Sequence, residues 1–111
     1  MRLYLAGPIR GIPDSNHAEF HSAAHTLRKM GHEVFNPVEW EDRDPEGTID
    51  LRACFLRDTA WICVEAEGVV LLPGWGKSKG AKAEKALAEA IGLRVLYIFS
   101  PDVGDRWEIV E

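Results

Sequence analysis

Four short apolar segments, separated by longer segments with helical spacing, constrain the fold of this 111-residue chain most strongly. Three are continuous hydrophobic runs of strand length, Leu3–Ala6, Val69–Leu72 and Val95–Phe99, and a shorter run, Glu33–Phe35, precedes Asn36. Strands that are apolar throughout, without alternation, are typical of a parallel sheet covered on both faces. Since this length suits one domain and not two, the runs predict a single buried sheet.

The segments between these strands predict three helices. The first covers Asn16–Met30 and starts with a capping pair, the second covers Ile49–Val64 with Thr48 as its cap, and the third covers Lys79–Ile91. The polar segment Glu39–Gly47 predicts a surface loop. This alternation indicates an α/β fold, a single-domain flavodoxin-like or Rossmann-like sandwich with a parallel sheet of four to five strands. Within this domain, residues 101–111 form a tail that adds a short strand or an arm.

Composition excludes several classes of function. The net charge of −5 and the absence of a basic patch argue against binding duplex nucleic acid. The apolar runs are too short to span a membrane, and the N-terminal segment lacks the features of a secretory signal, which predicts a cytoplasmic protein without a membrane partner. No cysteine pair has metal-site spacing. His17, His21 and His25 recur every four residues, but the last two turn away from the apolar stripe and no further ligand is apparent, so we expect a solvated face and no metal.

Two loops are expected to meet the ligand. A parallel sheet of this kind binds ligands beyond the carboxyl ends of its strands, where Gly7–Pro13 and Pro73–Gly80 lie. The second loop leads into a helix, whose first amides form an anion site that Ser78 is placed to cap. Gly7 lets a ligand approach the backbone, and Arg10 offers a planar fork for phosphate, although an ordinary exposed arginine fits the same spacing. Neither loop has the glycine spacing of a dinucleotide-binding motif or a P-loop.

Two carboxylates occupy positions where the helical pattern calls for hydrophobic residues. Asp58 lies within the apolar stripe that begins at Leu51, and Glu84 shares a face with Leu87 and Ile91. A buried carboxylate without a partner is costly. A structural explanation stays open: a loop amide for Asp58, and the dipole of its own helix for Glu84. Two such acids, one beside a ligand-facing loop, favour a functional site.

Several motifs carry a family resemblance. The opening Tyr4–Pro8 resembles the first motif of nucleoside 2-deoxyribosyltransferases, and Ser78–Glu84 is similar to the S-x-G-x-x-x-E motif of that superfamily. The extension Ile9–Gly11 is similar to the 2′-deoxynucleoside 5′-monophosphate N-glycosidases, and Asp58–Trp61 resembles their D-x-x-W segment. The block Leu72–Trp75 looks most like a largely phage-encoded branch of the superfamily.

The resemblance implies a role for each motif residue. Glu84 is the nucleophile, Asp58 its catalytic partner, and Tyr4 lines the sugar pocket. We expect Asn36 and Trp75 to lie near the base. The aromatic ring of Trp75 can stack on it. The residues expected to hold the 5′-phosphate belong to the two loops: Gly7, Pro8, Ile9, Arg10, Gly11, Ser78 and Gly80.

The function implied by the resemblance is hydrolysis of the base–sugar bond of a nucleoside or deoxynucleoside 5′-monophosphate through a covalent Glu84–sugar intermediate. It requires no metal or organic cofactor, and relatives pair as homodimers. The C-terminal signature with Asn that true transferases carry has no counterpart here, which favours hydrolysis. Two alternatives stay open: a module that binds or sequesters a nucleotide without cleaving it, and a nucleoside 2-deoxyribosyltransferase.

Overall fold

A computed structural model describes residues 1–10, 16–44, 46–100 and 107–111. Strands and helices mostly alternate along this part of the chain, except that α3 follows α2 and β5 follows β4. The elements are β1 Arg2–Ala6, α1 His17–Lys29, β2 Glu33–Phe35, α2 Pro37–Asp42, α3 Leu51–Val64, β3 Gly68–Leu71, α4 Lys79–Ala90, β4 Arg94–Phe99 and β5 Glu108–Val110. None of the helices in the described ranges has the length and apolar character needed to cross a membrane.

The five strands form one sheet in the order β2-β1-β3-β4-β5. The pairings from β2 through β4 are parallel, and β5 is antiparallel to β4. This is the strand order of the flavodoxin class, and it confirms the predicted α/β fold. The tail was expected to form either a short strand or an arm, and its end forms a short strand, β5. From β1 the chain first adds β2 on one side and then β3 on the other, so the connections after β1 and β3 lie on opposite faces of the sheet. A crevice therefore forms beyond the carboxyl ends of β1 and β3.

The alternation of side chains along β1 assigns each residue to one face of the sheet. Leu3 and Leu5 belong to a core that also contains the buried residues of α1, whereas Tyr4 and Ala6 belong to the opposite core. That second core includes Ile62 from α3 and two alanines from α4. Tyr4 therefore points toward the two helices that carry the predicted acids.

The loop predicted over Glu39–Gly47 is wrong in its first part, because a helix, α2, extends to Asp42. Asn36 caps this helix: its side-chain oxygen accepts a hydrogen bond from the Val38 amide at 3.2 Å. Pro37 occupies the first helical position, where its missing N–H costs nothing. Six residues are too few to show helical periodicity, but the Asn-Pro start is a recognisable capping signal.

Two of the predicted helix caps are also wrong. α3 is capped by Asp50, which accepts from the Ala53 amide at 2.8 Å, while the hydroxyl of Thr48 donates to Asp44. At the start of α1, Asn16 has left-handed backbone geometry (φ 59°) and makes no side-chain cap. Its amide instead donates to the carbonyl of Pro8 at 3.0 Å, and so ties the start of α1 to the loop after β1.

Candidate active site

A cavity of about 450 Å³ opens beyond the carboxyl ends of β1 and β3. Five parts of the chain line it: the end of β1 with its loop, Phe20 of α1, Pro37 and Glu41 of α2, the first half of α3, and the start of α4 with the two residues before it. Their contributions include Tyr4, Ala6, Gly7, Ile9, Arg10, Leu51, Cys54, Phe55, Arg57, Asp58, Lys77, Ser78, Lys79, Gly80 and Glu84. The position agrees with the expected ligand site of a flavodoxin-like sheet.

Tyr4 and Glu84 form the centre of this cavity. The Tyr4 hydroxyl donates a hydrogen bond to Glu84 Oε2 at 2.6 Å, and the two residues expose 1% and 7% of their surface. Glu84 shares its face of α4 with Ala81 and Ala88, which are buried against the sheet. These small side chains allow α4 to lie close to β1, which brings the carboxylate within reach of the hydroxyl. The helix face of Glu84 is therefore inward, as the pattern indicated, although Ile91 at its far end is 45% exposed.

Asp58 also reaches this point, from α3, and it carries a partner that the sequence did not reveal. One oxygen of its carboxylate accepts a hydrogen bond from Nε of Arg57 at 2.9 Å and forms an ion pair with Nη2 of the same side chain at 2.8 Å. The Arg57 guanidinium lies over the ring of Trp40 at 5.4 Å, which holds its plane. Adjacent residues on a helix do not ordinarily face each other, so no spacing rule identifies this pair. The partner of Asp58 is a guanidinium, and not the loop amide considered as its structural explanation.

Burial dominates the electrostatics of the three groups. It raises the pKa of Glu84 to about 8, and the negative charge of Asp58 adds to the effect, while the hydrogen bond from Tyr4 opposes it. Burial also raises the pKa of Asp58, against the attraction of Arg57 and the Tyr4 hydroxyl. The pKa of Tyr4 is raised well above its usual range by burial and then by the charges of Glu84 and Asp58. The Tyr4 hydroxyl thus stays protonated and serves as a donor between two acids.

The start of α4 gives the rim of the cavity a positive character. Ser78 caps the helix by accepting a hydrogen bond from the Ala81 amide at 3.1 Å, as predicted. Lys77 and Lys79 flank it, and Arg10 reaches the same rim from the loop after β1. The unpaired amides of a helix start and nearby cations together favour an anionic group.

Gly7 has a packing role beside the one expected of it. A Cβ added there would lie 2.8 Å from Cβ of Leu72 and 3.3 Å from a ring carbon of Phe20. The residue therefore lacks a side chain because the loop packs closely on β3 and α1, although its backbone still lines the cavity. Gly80 is the open position: an added Cβ would contact Ser78 Oγ alone, at 3.9 Å.

Other predicted site residues lie away from the cavity lining described here. Asn36 is buried under α2, where it caps that helix. Trp75 packs against Tyr97 with ring centroids 6.0 Å apart. Pro8 is buried and receives the Asn16 amide. Gly11, the last residue of the predicted phosphate set, falls outside the described residues.

The first half of α3 presents its apolar residues to the cavity and not to the core. Leu51 is 57% exposed, and Cys54 and Phe55 are half-buried, while Ile62 further along is fully buried. The stripe expected to pack uniformly on the sheet thus divides into two parts. Its first part supplies an apolar wall, so the cavity combines a hydrophobic side with a buried acidic centre and a cationic rim.

The fold and site define a class: a small flavodoxin-like or Rossmann-like α/β protein with two buried acids at the carboxyl edge of its sheet. A family model described as "Domain of unknown function (DUF4406)" matches residues 1–97, and the chain belongs to this family. The matched part contains the whole cavity lining described above and ends before β5. No curated protein and no solved structure matches the chain.

Proposed function

We propose that this protein is an N-glycosidase that hydrolyses the base–sugar bond of a nucleoside or deoxynucleoside 5′-monophosphate. One observation carries the proposal: the Tyr4 hydroxyl holds the buried carboxylate of Glu84, with Asp58 beside it, inside a cavity whose rim favours anions. Burying two acids side by side is unfavourable for stability, and such pairs occur where acid and base chemistry is performed. The family resemblance of these motifs leads to the same reaction.

The first chemical step breaks the glycosidic bond. The ionised Glu84 oxygen attacks C1′, the C1′–N bond breaks, and its electron pair leaves with the base. A retaining reaction of this kind needs its two carboxyl groups about 5 Å apart, and here both face the hydroxyl of Tyr4. Asp58, whose pKa is raised by burial, supplies a proton to the leaving base as the C1′–N bond breaks.

The second step releases the sugar. Asp58, now ionised, removes a proton from a water molecule, whose oxygen attacks C1′ and displaces Glu84. The products are the free base and the sugar phosphate, and both carboxyl groups return to their starting states. Tyr4 donates to Glu84 before attack and after release, when the carboxylate carries its full charge. No step requires a metal ion or an organic cofactor.

The lining of the cavity accounts for the remaining parts of a nucleotide. The 5′-phosphate binds the amides at the start of α4, with Ser78, Lys77 and Arg10 around it. The base lies against the apolar wall formed by Phe55 and Leu51, because its planar faces are poorly hydrated. A cavity of this size accommodates a ligand of that class.

The test is to incubate the protein with each common ribonucleoside and deoxyribonucleoside 5′-monophosphate and to measure free base by chromatography. We expect release from at least one nucleotide, with faster turnover than of the matching nucleoside. Glu84→Gln should reduce kcat by at least about 10⁴-fold, and Asp58→Asn by roughly 10²- to 10⁴-fold. Glu89→Gln, on an exposed position of the same helix, is the matched control and should retain activity. Equal activity of the Glu84 and Glu89 variants would rule out the proposed nucleophile.

A second candidate, a module that binds a nucleotide without cleaving it, is favoured by one observation. A Glu84 pKa of about 8 leaves most of this carboxyl group protonated at neutral pH, and a protonated acid is a donor and not a nucleophile. Calorimetry with the same nucleotides separates the two. Tight binding of a nucleotide that is recovered intact selects the binding module, whereas release of base selects the enzyme. Formation of a new nucleoside when a second base is supplied would select the transferase.

We further propose that the protein is a homodimer paired through α3. The outward side of this helix is apolar at four positions along one stripe: Ala53, Leu56, Ala60 and Val64. Leu56 and Val64 expose 71% and 77% of their surface. An antiparallel register that sets Ala53 opposite the partner's Val64 also sets Arg52 opposite the partner's Glu65, so the ends of the stripe are complementary in charge. The same helix lines the cavity through Leu51 and Phe55, which places the pairing surface next to the site.

A further inference from the structure

A cluster of metal-binding side chains lies where α1 meets the end of α2. Ligand atoms of His17, His21 and Asp42 all lie within 4.8 Å of one another. Asp42 Oδ1 is 3.0 Å from His17 Nδ1, and Asp42 Oδ2 is 3.0 Å from His21 Nε2. The other ring nitrogen of His17, Nε2, is 3.1 Å from Glu41 Oε2. The carboxylate of Asp42 therefore bridges two imidazoles, one of which also contacts a second carboxylate.

Both ring nitrogens of His17 contact carboxylate oxygens. A carboxylate only accepts hydrogen bonds, and a neutral imidazole has one N–H and one lone pair. With Glu41 at Nε2 and Asp42 at Nδ1, a neutral His17 satisfies one contact and sets a lone pair against an oxygen at the other. A metal ion bound at Nδ1 removes the conflict, because it accepts the lone pair and attracts the carboxylate.

The arrangement around His17 is that of a metal ligand with its supporting partner. A ligating histidine generally donates its other N–H to a carboxylate, which fixes the tautomer and orients the ring. Glu41 occupies that position at Nε2 and leaves the lone pair of Nδ1 directed toward Asp42. Two ligands bound at about 2.0–2.1 Å to one tetrahedral ion lie roughly 3.3 Å apart. Here each imidazole lies 3.0 Å from a different oxygen of Asp42, and the three ligand atoms lie within 4.8 Å of one another, so side-chain rotations that turn both imidazoles toward one point would admit an ion.

His21 completes the set with Nε2. Its Nδ1 lies 3.4 Å from the side-chain amide of Asn36, a long contact on the side away from Asp42. Binding of a metal at Nε2 moves the proton of this ring to Nδ1 and gives up that contact. The edge-to-face packing of the two rings, 6.1 Å between centroids, keeps both nitrogens on the Asp42 side.

We propose that His17, His21 and Asp42 bind a divalent transition-metal ion of the zinc class, with Glu41 orienting His17. Two imidazoles and one carboxylate form a mixed nitrogen and oxygen set, which suits zinc and its neighbours better than magnesium or calcium. The fourth position faces solvent, since Asp42 and His21 are nearly half exposed. Glu41 also lines the cavity, so the ion would lie beside the candidate active site without taking part in the chemistry proposed above.

The test is calorimetric titration of zinc chloride into the untagged, chelator-treated full chain, repeated with cobalt(II) chloride in a spectrophotometer. We expect one ion per chain and a visible cobalt spectrum of a site containing nitrogen ligands. His17→Ala, His21→Ala and Asp42→Asn should each weaken zinc binding by at least about 100-fold, and Glu41→Gln by roughly 10- to 100-fold. His25→Ala is the matched control, because His25 is the next histidine at this spacing on α1 and is exposed, but does not belong to the cluster. Its affinity for zinc should equal that of the unaltered protein.

Two results would overturn the proposal. One is the absence of saturable zinc binding by the unaltered protein. The other is an affinity that falls equally in His25→Ala, or that is unchanged in Asp42→Asn, since either would indicate adventitious binding by helix-surface histidines. Thermal unfolding of each variant in the presence of chelator shows that the fold is intact. Because the readout is metal binding and not base release, this inference stands or fails independently of the proposed enzymatic activity.

Discussion

The Tyr4 hydroxyl determines how the two buried acids share charge. It donates to Glu84 at 2.6 Å and also lowers the pKa of Asp58, so each acid depends on the same proton donor. Removing either neighbour should move the titration of Glu84 in a predictable direction, because the two neighbours act with opposite sign.

Tyr4→Phe should raise the pKa of Glu84 above its value of about 8, since the hydrogen bond that stabilises the carboxylate is lost. Asp58→Asn should lower that pKa, since a neighbouring negative charge is removed. Titration of Glu84 by carbon NMR of the side-chain carboxyl measures both shifts directly. Because attack on C1′ requires an ionised Glu84 and a protonated Asp58, kcat/KM of the unaltered enzyme should follow a bell-shaped pH profile with one limb near the Glu84 pKa of about 8. Shifts of the same sign in both variants would contradict this description of the site.

The raised pKa of Glu84 also predicts how stability depends on pH. The folded protein holds a proton on Glu84 between its ordinary value of 4.5 and about 8, whereas the unfolded chain has lost it. Stability therefore falls as pH rises through this window, and the penalty is complete above the folded pKa. Glu84→Gln removes the penalty: it should match the unaltered protein at pH 4 and exceed it at pH 9 by a few kcal/mol, at roughly 1.4 kcal/mol per pKa unit.

Urea unfolding at the two pH values measures this difference, with Glu89→Gln as the control for a glutamate that is exposed on the same helix. A stability difference between the Glu84 variant and the unaltered protein that does not change with pH would show that Glu84 is not held protonated by burial.

At the scale of elements, helix starts decide where the functional side chains lie. α3 begins at Leu51 because Asp50 caps it, and this start sets the turn on which Asp58 reaches the cavity. α4 begins at Lys79 because Ser78 caps it, and this start places Glu84 over Tyr4. The capping residues at the starts of α3 and α4 therefore help to determine where the two acids lie in the site.

Asp50→Ala should lower the free energy of unfolding by about 1 kcal/mol, the usual cost of losing a cap. Thr48→Ala should cost less, because its hydroxyl bonds to Asp44 in the preceding loop and not to the helix. Chemical denaturation of the two variants compares them. A larger decrease in the free energy of unfolding for Thr48→Ala than for Asp50→Ala would indicate that Thr48 caps α3, as predicted from the sequence.

The elements differ in how far the sequence could predict them. The existence of α1, α3 and α4 follows from apolar residues repeating over three or more turns, and β1, β3 and β4 follow from continuous apolar runs. α2 is too short for a period to be visible, so its signal was the Asn36-Pro37 start alone. The cap of α3 was misplaced because Thr48 and Asp50 are both good capping residues, and local propensity does not choose between them.

At the scale of the whole molecule, the exposed apolar stripe of α3 is the surface proposed to pair with a second copy of the chain. A helix whose exposed side carries Leu56 and Val64 leaves apolar area in water, which pairing of two copies would remove. Leu56→Glu should convert the proposed homodimer into a monomer, because an antiparallel helix pair brings each substituted position close to the twofold axis. Light scattering coupled to size exclusion measures the mass. The control is Leu51→Glu, at an exposed position that lines the cavity instead of the stripe.

A mass of one chain for the unaltered protein would dismiss the dimer. A dimer in both the unaltered protein and the Leu56 variant would locate the interface elsewhere. Neither result would affect the zinc measurement, because His17, His21 and Asp42 lie on other helices.

The amino-acid sequence by itself determined the α/β class, the two acids at apolar helix positions, and the cap of α4 at Ser78. These are local patterns, each readable within a few turns or one strand, and elementary propensities suffice for them. Only the tertiary structure decided that Tyr4 bonds to Glu84, 80 residues away, and that Asp42 bridges His17 and His21. Only the tertiary structure likewise showed that Asn36 and Trp75 lie outside the cavity lining and that Asp58 pairs with the guanidinium of Arg57. Such contacts depend on strand order and helix packing, which bring together residues whose positions along the chain carry no shared period.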